Sequence, residues 1–286
     1  MRALDECFSC LKDLAYNTAK LSSNNAQERD VFFQKSLAYL NNNFSGNSIP
    51  TVLAGEMQRI IRQEANCKDP FADIKSKEME AAGNLYKEFN TALTPNLDDL
   101  IKFAVKGNSI DFFVDIETLR KDVKQPVKFS RNDVSQLEKK LQDFSSQAKD
   151  NYILYLADNA GECYFDLPLI TKLQSYFKVY YVVKSGPVQN DLTLNDLKNS
   201  GINQHFNNVI ESGSDTPGLD INLASKEFMR LFYNSGLIIA KGMGHYETLP
   251  EIDLPAPTFL LMKAKCNPVA SSLKVNLNSH IAARLH

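Results

Sequence analysis

From residue 152 onward the chain alternates strand-length apolar runs with helix-length patterns, and this alternation restricts the fold more than any other feature. The strand candidates are 152–157, 178–183, 207–211, 236–240 and 258–262. Helical spacing follows them at 165–176, 192–199, 222–233 and 267–273. Such alternation builds βαβ units, and right-handed crossovers bring the carboxyl ends of the parallel strands to one edge. The expected fold class is α/β, a mostly parallel Rossmann-like sheet flanked by helices.

Residues before 150 follow a different period. Segments 6–22, 27–43, 50–65, 70–90 and 95–106 each place apolar residues three and four apart. Ser48-Ile49-Pro50 and Asp69-Pro70 mark helix starts, because proline fits the first turn and aspartate caps it. A further helix, roughly 131–147, alternates in charge and reads as solvated. The expected division is an all-helical subdomain over 1–149, packing on and capping the site, and an α/β domain over 150–286. Asn41 to Asn47 and residues 212–219 read as loops.

Charge and cysteine usage exclude several function classes. With a net charge of −2 and dispersed Lys and Arg, the chain has no field to hold nucleic acid or an anionic membrane. No apolar run approaches the ~20 residues of a membrane span, and Met1 to Glu6 lacks a signal-peptide core. Five cysteines, an odd number at low density, argue against a secreted disulfide scaffold. The expectation is a soluble, cytoplasmic protein with neither nucleic acid nor membrane as partner.

Polar residues collect at the strand ends, where open α/β sheets bind ligands. Asp158-Asn159-Ala160-Gly161-Glu162 follows the first strand, and Asn190, Asp191 and Thr193 follow the second. Ser212, Gly213 and Ser214 follow the third, Lys241 to Glu247 the fourth, and Lys263 to Cys266 the fifth. Oxygen ligands from two parallel strands suit a hard divalent cation such as Mg²⁺. Lysine and closely approaching glycine backbone suit a phosphate. Each piece alone has a plainer use. Asp158-Asn159 would serve as a turn or cap, Gly242 and Gly244 as plain turn residues, and Asn190 to Thr193 as a cap on 192–199. Their co-occurrence on one edge makes them a candidate site.

These motifs resemble the metal-dependent damage-control phosphatases, a family long carried as a domain of unknown function and also called acidic-residue-methyltransferase-like. The resemblance rests on Asp158-Asn159-Ala160-Gly161-Glu162 with Phe165-Asp166, and on Gly186-Pro187 with Asn190-Asp191 and Thr193. It extends to Lys241-Gly242-x-Gly244-x-x-Glu247 and Leu261-x-Lys263-Ala264-Lys265-Cys266. Upstream it takes in Cys7-Phe8-Ser9-Cys10, a mark of the compact archaeal and bacterial-type branch, and Gly107-Asn108-x-Ile110-Asp111-Phe112.

The resemblance implies that Asp158, Asn159 and Asp191 ligate one divalent metal. It implies that Met243, Gly244, His245, Tyr246, Glu247 and Lys263 contact the substrate phosphate or its neighbouring groups, with Asn108 and Asp111 close by. The implied reaction is hydrolysis of small phosphate esters, sugar phosphates or damaged phosphometabolites, with inorganic phosphate as product. Asp and Asn oxygens discriminate weakly, so Mg²⁺, Mn²⁺, Co²⁺ and Ni²⁺ all remain candidate metals. His245 stands where asparagine is usual in the family, and a histidine there is expected to titrate near neutrality. In the expected mechanism Lys241 and Lys263 hold phosphoryl oxygens. Either Asp158 attacks phosphorus or a metal-activated water does, with Glu162 or Asp191 as base.

Cys7 and Cys10 admit three readings, a redox pair, half of a zinc site, or packed thiols. Packed thiols are favoured, because zinc needs about four ligands and Cys266 would supply only a third. Cys67 and Cys163 read as packing residues, and His205, His280 and His286 as isolated. Two rival functions remain, an S-adenosylmethionine-dependent carboxyl methyltransferase and a non-enzymatic phosphometabolite-binding protein. The turn after 152–157 is poorer in glycine than nucleotide-binding loops, which weighs against the first.

Overall fold

In chain order the elements begin with five helices, α1 (Asp5–Ser22), α2 (Ala26–Asn43), α3 (Pro50–Glu64), α4 (Ala72–Phe89) and α5 (Leu97–Gly107). Next come α6 (Ile116–Lys124), β1 (Phe129–Asn132), α7 (Val134–Ser145), β2 (Tyr152–Leu156), α8 (Cys163–Gln174) and β3 (Lys178–Val183). The chain continues through α9 (Leu194–Ser200), β4 (Val209–Glu211), α10 (Lys226–Tyr233), β5 (Leu237–Lys241) and α11 (Gly242–Thr248). It closes with β6 (Thr258–Lys263), α12 (Asn267–Leu273) and β7 (His280–Arg284). This computed structural model describes residues 1–109, 116–145 and 151–285.

Among the described residues seven strands form one sheet in the order β1-β7-β6-β5-β2-β3-β4. Every pairing is parallel except β6 with β7. Strand side chains alternate between the two faces. On one face Ile153, Tyr155, Val179, Tyr181, Leu237 and Ile239 pack with residues of α5, α7 and α8. On the other, Leu154, Leu156, Val182, Ile238 and Ala240 pack with Phe228 and Phe232 of α10 and Val269 of α12. Burial on both faces is why these strands read as continuous apolar runs. Each fully buried Leu or Ile contributes about 1.5–3 kcal/mol.

Helices α1, α2 and α3 share a separate apolar cluster built on Leu11, Ala15, Leu40, Met57 and Ile61. Polar ties hold the helical half to the strand ends. The Arg59 guanidinium meets Asp215 Oδ1 at 2.6 Å, and Arg62 meets Oδ2 at 2.5 Å. Buried Lys75 lies 2.6 Å from Asp69 and 2.8 Å from Asp196. Asn190 Nδ2 donates to Glu78 at 3.1 Å.

Several sequence expectations change. Strand β1 falls partly inside the stretch expected to be helix from 131, and its exposed polar residues carry no strand pattern. Strand β7 was not expected, because its three buried residues are Ile281, Ala282 and Ala283. Residues 243–247, expected as a loop, lie within helix α11 (Gly242–Thr248). Thr193 is the N-cap of α9, in a capping box with Asp196. No described helix is long and apolar enough to cross a membrane.

Candidate active site

The carboxyl ends of β2 and β3, with residues from α1, α3, α11 and the start of α12, surround a cavity of about 460 Å³. Its wall includes Asn108, Asp158, Asn159, Asn190 and Asp191 on the sheet side. Leu11, Leu14, Pro50 and Ala54 close it from the helical side. Asp158 and Asn159 after β2, and Asn190 and Asp191 after β3, thus open onto one cavity.

The exits of β2 and β3 are stitched to one another by backbone. Leu192 N donates to Asp158 O at 2.8 Å, and Ala160 N to Asn190 O at 2.7 Å. An isolated bridge joins Asn159 to Asp191. Gln189, in a left-handed conformation at φ 45°, makes the preceding turn, and its N–H donates to Gln58 Oε1 of α3 at 2.8 Å. Asp158 and Asp191 are thus held side by side and out of water. Burial first, then the Glu162 and Asp191 carboxylates, pushes Asp158 well above the usual carboxylate range. Burial pushes Asp191 up to about 6, with the Lys184 ammonium acting against it. Asp191 Oδ2 is buried without a hydrogen-bond partner, and Lys184 Nζ lies 3.5 Å from it.

Glu162 and Asp166 lie one helical turn apart, at the entry and in the first turn of α8, so both face the end of β5. Lys241, expected at the phosphate, is instead fully buried between them. Its ammonium donates to Glu162 Oε2 at 2.7 Å, Asp166 Oδ1 at 2.6 Å and the Ala104 carbonyl at 3.0 Å. An ammonium has three protons, so none remains for a substrate oxygen. Burial pulls Lys241 down, but the two carboxylates outweigh it and leave it raised. Burial likewise pushes Glu162 up, yet Lys241, Lys265 and the Asn108 hydrogen bond together outweigh it and the carboxyl is lowered. Glu162, a base candidate from sequence, therefore stays ionised with both oxygens engaged. Its Oε1 accepts from Asn108 Nδ2 at 2.7 Å and Asn159 Nδ2 at 2.9 Å.

The remaining candidates divide. Asn108 is buried at the site, donating also to Asp158 Oδ2 at 3.1 Å and accepting from the Lys263 backbone at 2.9 Å. Asp111 lies outside the described residues. Met243, Gly244 and Glu247 line the cavity. His245 turns inward, its Nδ1 2.6 Å from the Lys241 carbonyl. Burial and nearby Lys184 pull it down to about 3, so it does not titrate near neutrality. Tyr246 spends its hydroxyl on Ser272 at 2.8 Å. Lys263 Nζ sits 3.4 Å from Ser109 Oγ and 3.8 Å from Asp122. The lysine on the cavity wall is Lys265, two residues on, which the motif reading passed over. Strand alternation does not separate the two lysines, because β6 ends at Lys263 and Lys265 lies beyond it.

Cys7, Cys10 and Cys266 also reach the wall. Burial raises all three thiols, Cys266 to about 11, so they are neutral thiols at pH 7. Among the described residues no group of three His, Cys, Asp or Glu is arranged to hold an ion.

Glu247 gives a test of the cavity's electrostatics. Its Oε2 is buried without a hydrogen-bond partner, and burial pushes the carboxyl up to about 7 against the chain's amino group and a backbone hydrogen bond at Thr51. Between the ordinary glutamate value and about 7, the folded chain keeps a proton that the unfolded chain has lost. Stability from this group is therefore complete below the ordinary value and falls as pH rises to 7. Glu247→Gln is expected to gain about 2–3 kcal/mol over the parent at pH 8 and little at pH 4. Urea unfolding at both pH values measures this, and an equal gain at both would contradict it.

Residues 3–281 match the model of the damage-control phosphatase ARMT1-like domain. A curated damage-control phosphatase of Pyrococcus horikoshii is 31% identical over 286 residues, 99% of this chain and 98% of the relative. One from Archaeoglobus fulgidus is 27% identical over 96% of both chains. The crystal structure of a DUF89 family protein from Pyrococcus horikoshii superposes with a TM-score of 0.88, at 30% identity and 100% coverage of both chains.

Proposed function

The chain belongs to the damage-control phosphatase ARMT1-like family, and from that premise we propose that it is a metal-dependent phosphomonoesterase acting on small phosphorylated metabolites. The observation that carries the metal is Asp191 Oδ2, a buried carboxylate oxygen with no hydrogen-bond partner, held beside a second buried carboxylate, Asp158. Two adjacent carboxylates out of water, with the Lys184 ammonium 3.5 Å from Asp191 Oδ2, remain costly unless a cation joins them. With the Asn159 amide oxygen they form an all-oxygen set suited to Mg²⁺ or Mn²⁺, and also to Co²⁺ or Ni²⁺. When bound, the cation polarises a phosphoryl oxygen and offsets the charge that develops on it.

The chain's own residues do the rest. Asn159 gives its amide nitrogen to Glu162 and Asp158, which leaves its carbonyl oxygen for the cation. Asn108 clamps the Asp158 side chain from the helical half. Lys265, on the cavity wall, pairs with phosphate oxygens in the role first expected of Lys241. Leu11, Leu14 and Ala54 on the opposite wall exclude water. A cavity of about 460 Å³ suits a small phosphate ester and its organic part.

The test is phosphate release from a panel of sugar phosphates and a generic aryl phosphate. Metal-stripped protein is assayed alone and with Mg²⁺, Mn²⁺, Co²⁺ or Ni²⁺. Release is expected only with metal. Folded protein that binds phosphorylated ligands and releases no phosphate with any metal would replace this reading with a non-enzymatic binding role.

A further inference from the structure

We infer that Asp166 is the positioning residue of the cation-binding edge, acting through Lys241 and Glu162 to fix the Asn108 and Asn159 amides against Asp158. The inference rests on the proposed metal-dependent reaction and extends it to a residue that touches neither cavity nor ligand set.

Asp166 is fully buried on α8 and receives bonds from three adjacent strands. Lys241 at the end of β5 donates to its Oδ1 at 2.6 Å, and the Tyr155 hydroxyl of β2 at 2.7 Å. The Tyr181 hydroxyl of β3 donates to Oδ2 at 3.0 Å. Two of those strands, β2 and β3, deliver Asp158, Asn159 and Asp191. One carboxylate therefore anchors both exits, and the helix entry that bears Glu162, to a common point.

From that point a continuous chain of hydrogen bonds runs to the ligands. Lys241 bridges Asp166 to Glu162 Oε2 at 2.7 Å. Glu162 Oε1 then receives both amide nitrogens, at 2.7 and 2.9 Å. The same nitrogens reach Asp158 Oδ2 at 3.1 and 3.4 Å. An ionised carboxylate only accepts, so Glu162 fixes which end of the Asn159 amide remains for a cation. Groups that orient first-layer ligands in this way typically contribute 10–100-fold, roughly, to metal affinity. Fold stability alone gives no reason for the arrangement, since packed apolar groups commonly match or exceed a buried ion pair.

The experiment compares the full-length parent with Asp166→Asn, which keeps size and one acceptor oxygen but removes the charge that holds Lys241. Mn²⁺ binding to metal-free protein is measured by calorimetry, beside the melting temperature and phosphate release. Asp166→Asn is expected to weaken Mn²⁺ binding about 10–100-fold, with phosphate release recovering toward the parent's as Mn²⁺ is raised. A lower melting temperature with unchanged Mn²⁺ affinity would make Asp166 purely structural and overturn the inference. If Asp166→Asn does not fold, the double variant Tyr155→Phe, Tyr181→Phe decides. It loosens Asp166 without touching its charge, and a several-fold loss of Mn²⁺ affinity supports the inference while an unchanged affinity overturns it. A parent that binds Mn²⁺ but releases no phosphate defeats the phosphatase reading alone. A parent that binds no Mn²⁺ defeats both.

Discussion

Asp158→Asn is expected to lower metal-dependent phosphate release by about 10³-fold or more, the loss of a charged ligand from a site whose cation supplies several kcal/mol. The same substitution is expected to raise the melting temperature of the metal-free protein. The opposite signs follow from one geometry. Asp158 is buried, and its ionised form is opposed by burial and by the Glu162 and Asp191 carboxylates. In metal-free protein that charge is a cost, which asparagine removes while keeping an oxygen to accept from Asn108. The sign follows from linkage. A carboxyl raised in the folded state destabilises increasingly as pH climbs through the ordinary carboxylate range. The gain should therefore be largest near pH 8 and absent well below pH 4. Thermal melts in chelator at both pH values, beside phosphate release at saturating Mn²⁺, read the two halves separately. Undiminished release would remove Asp158 from the reaction. A lower melting temperature at pH 8 would mean that the bonds from Asn108 and Asn159 outweigh carboxylate repulsion.

The legible parts of this chain are those in which chemistry sits next to its own structural signal. Strands β2, β3, β5 and β6 are buried on both faces and write unbroken apolar runs. Asp158 and Asn159 follow β2 within three residues and Asp191 follows β3 within eight, so strand position and side-chain chemistry are read together. Edge strand β1, Phe-Ser-Arg-Asn, lacks a second buried face and writes no such run. Lys241 shows why a motif position does not fix a role. Its neighbours Glu162 and Asp166 are 79 and 75 residues away in sequence. Only the docking of α8 against β5 decides that its ammonium points into the protein. The same holds for the helical wall of the cavity. Amphipathic spacing identifies α1 and α3, but their meeting with the strand ends depends on long-range contacts such as Arg59 and Arg62 with Asp215.

Gly242→Ala should be nearly as damaging as the loss of Asp158 itself. Gly242 follows Lys241 at φ +76°, a left-handed conformation that lets β5 turn directly into α11. A Cβ at this position would lie 1.9 Å from Asp158 Oδ2 and 2.2 Å from Asp158 Cγ. Those distances are far inside van der Waals contact, so the carboxylate must move away. Displacing a reacting group by an ångström costs about 10²-fold in rate, and alanine here should lower phosphate release by about 10²–10³-fold. The left-handed backbone adds a stability cost of about 1–2 kcal/mol. Gly201 separates the two contributions. It has nearly the same conformation, φ +73°, at the end of α9, and nothing lies within 4 Å of its would-be Cβ. Gly201→Ala should therefore carry the backbone strain alone, with phosphate release and Mn²⁺ affinity unchanged. Gly242→Ala should lose activity and Mn²⁺ affinity together while remaining folded by circular dichroism. Equal activity in the two alanine variants would mean that Asp158 tolerates displacement, and the tight seat between β2 and α11 would then have no part in the reaction.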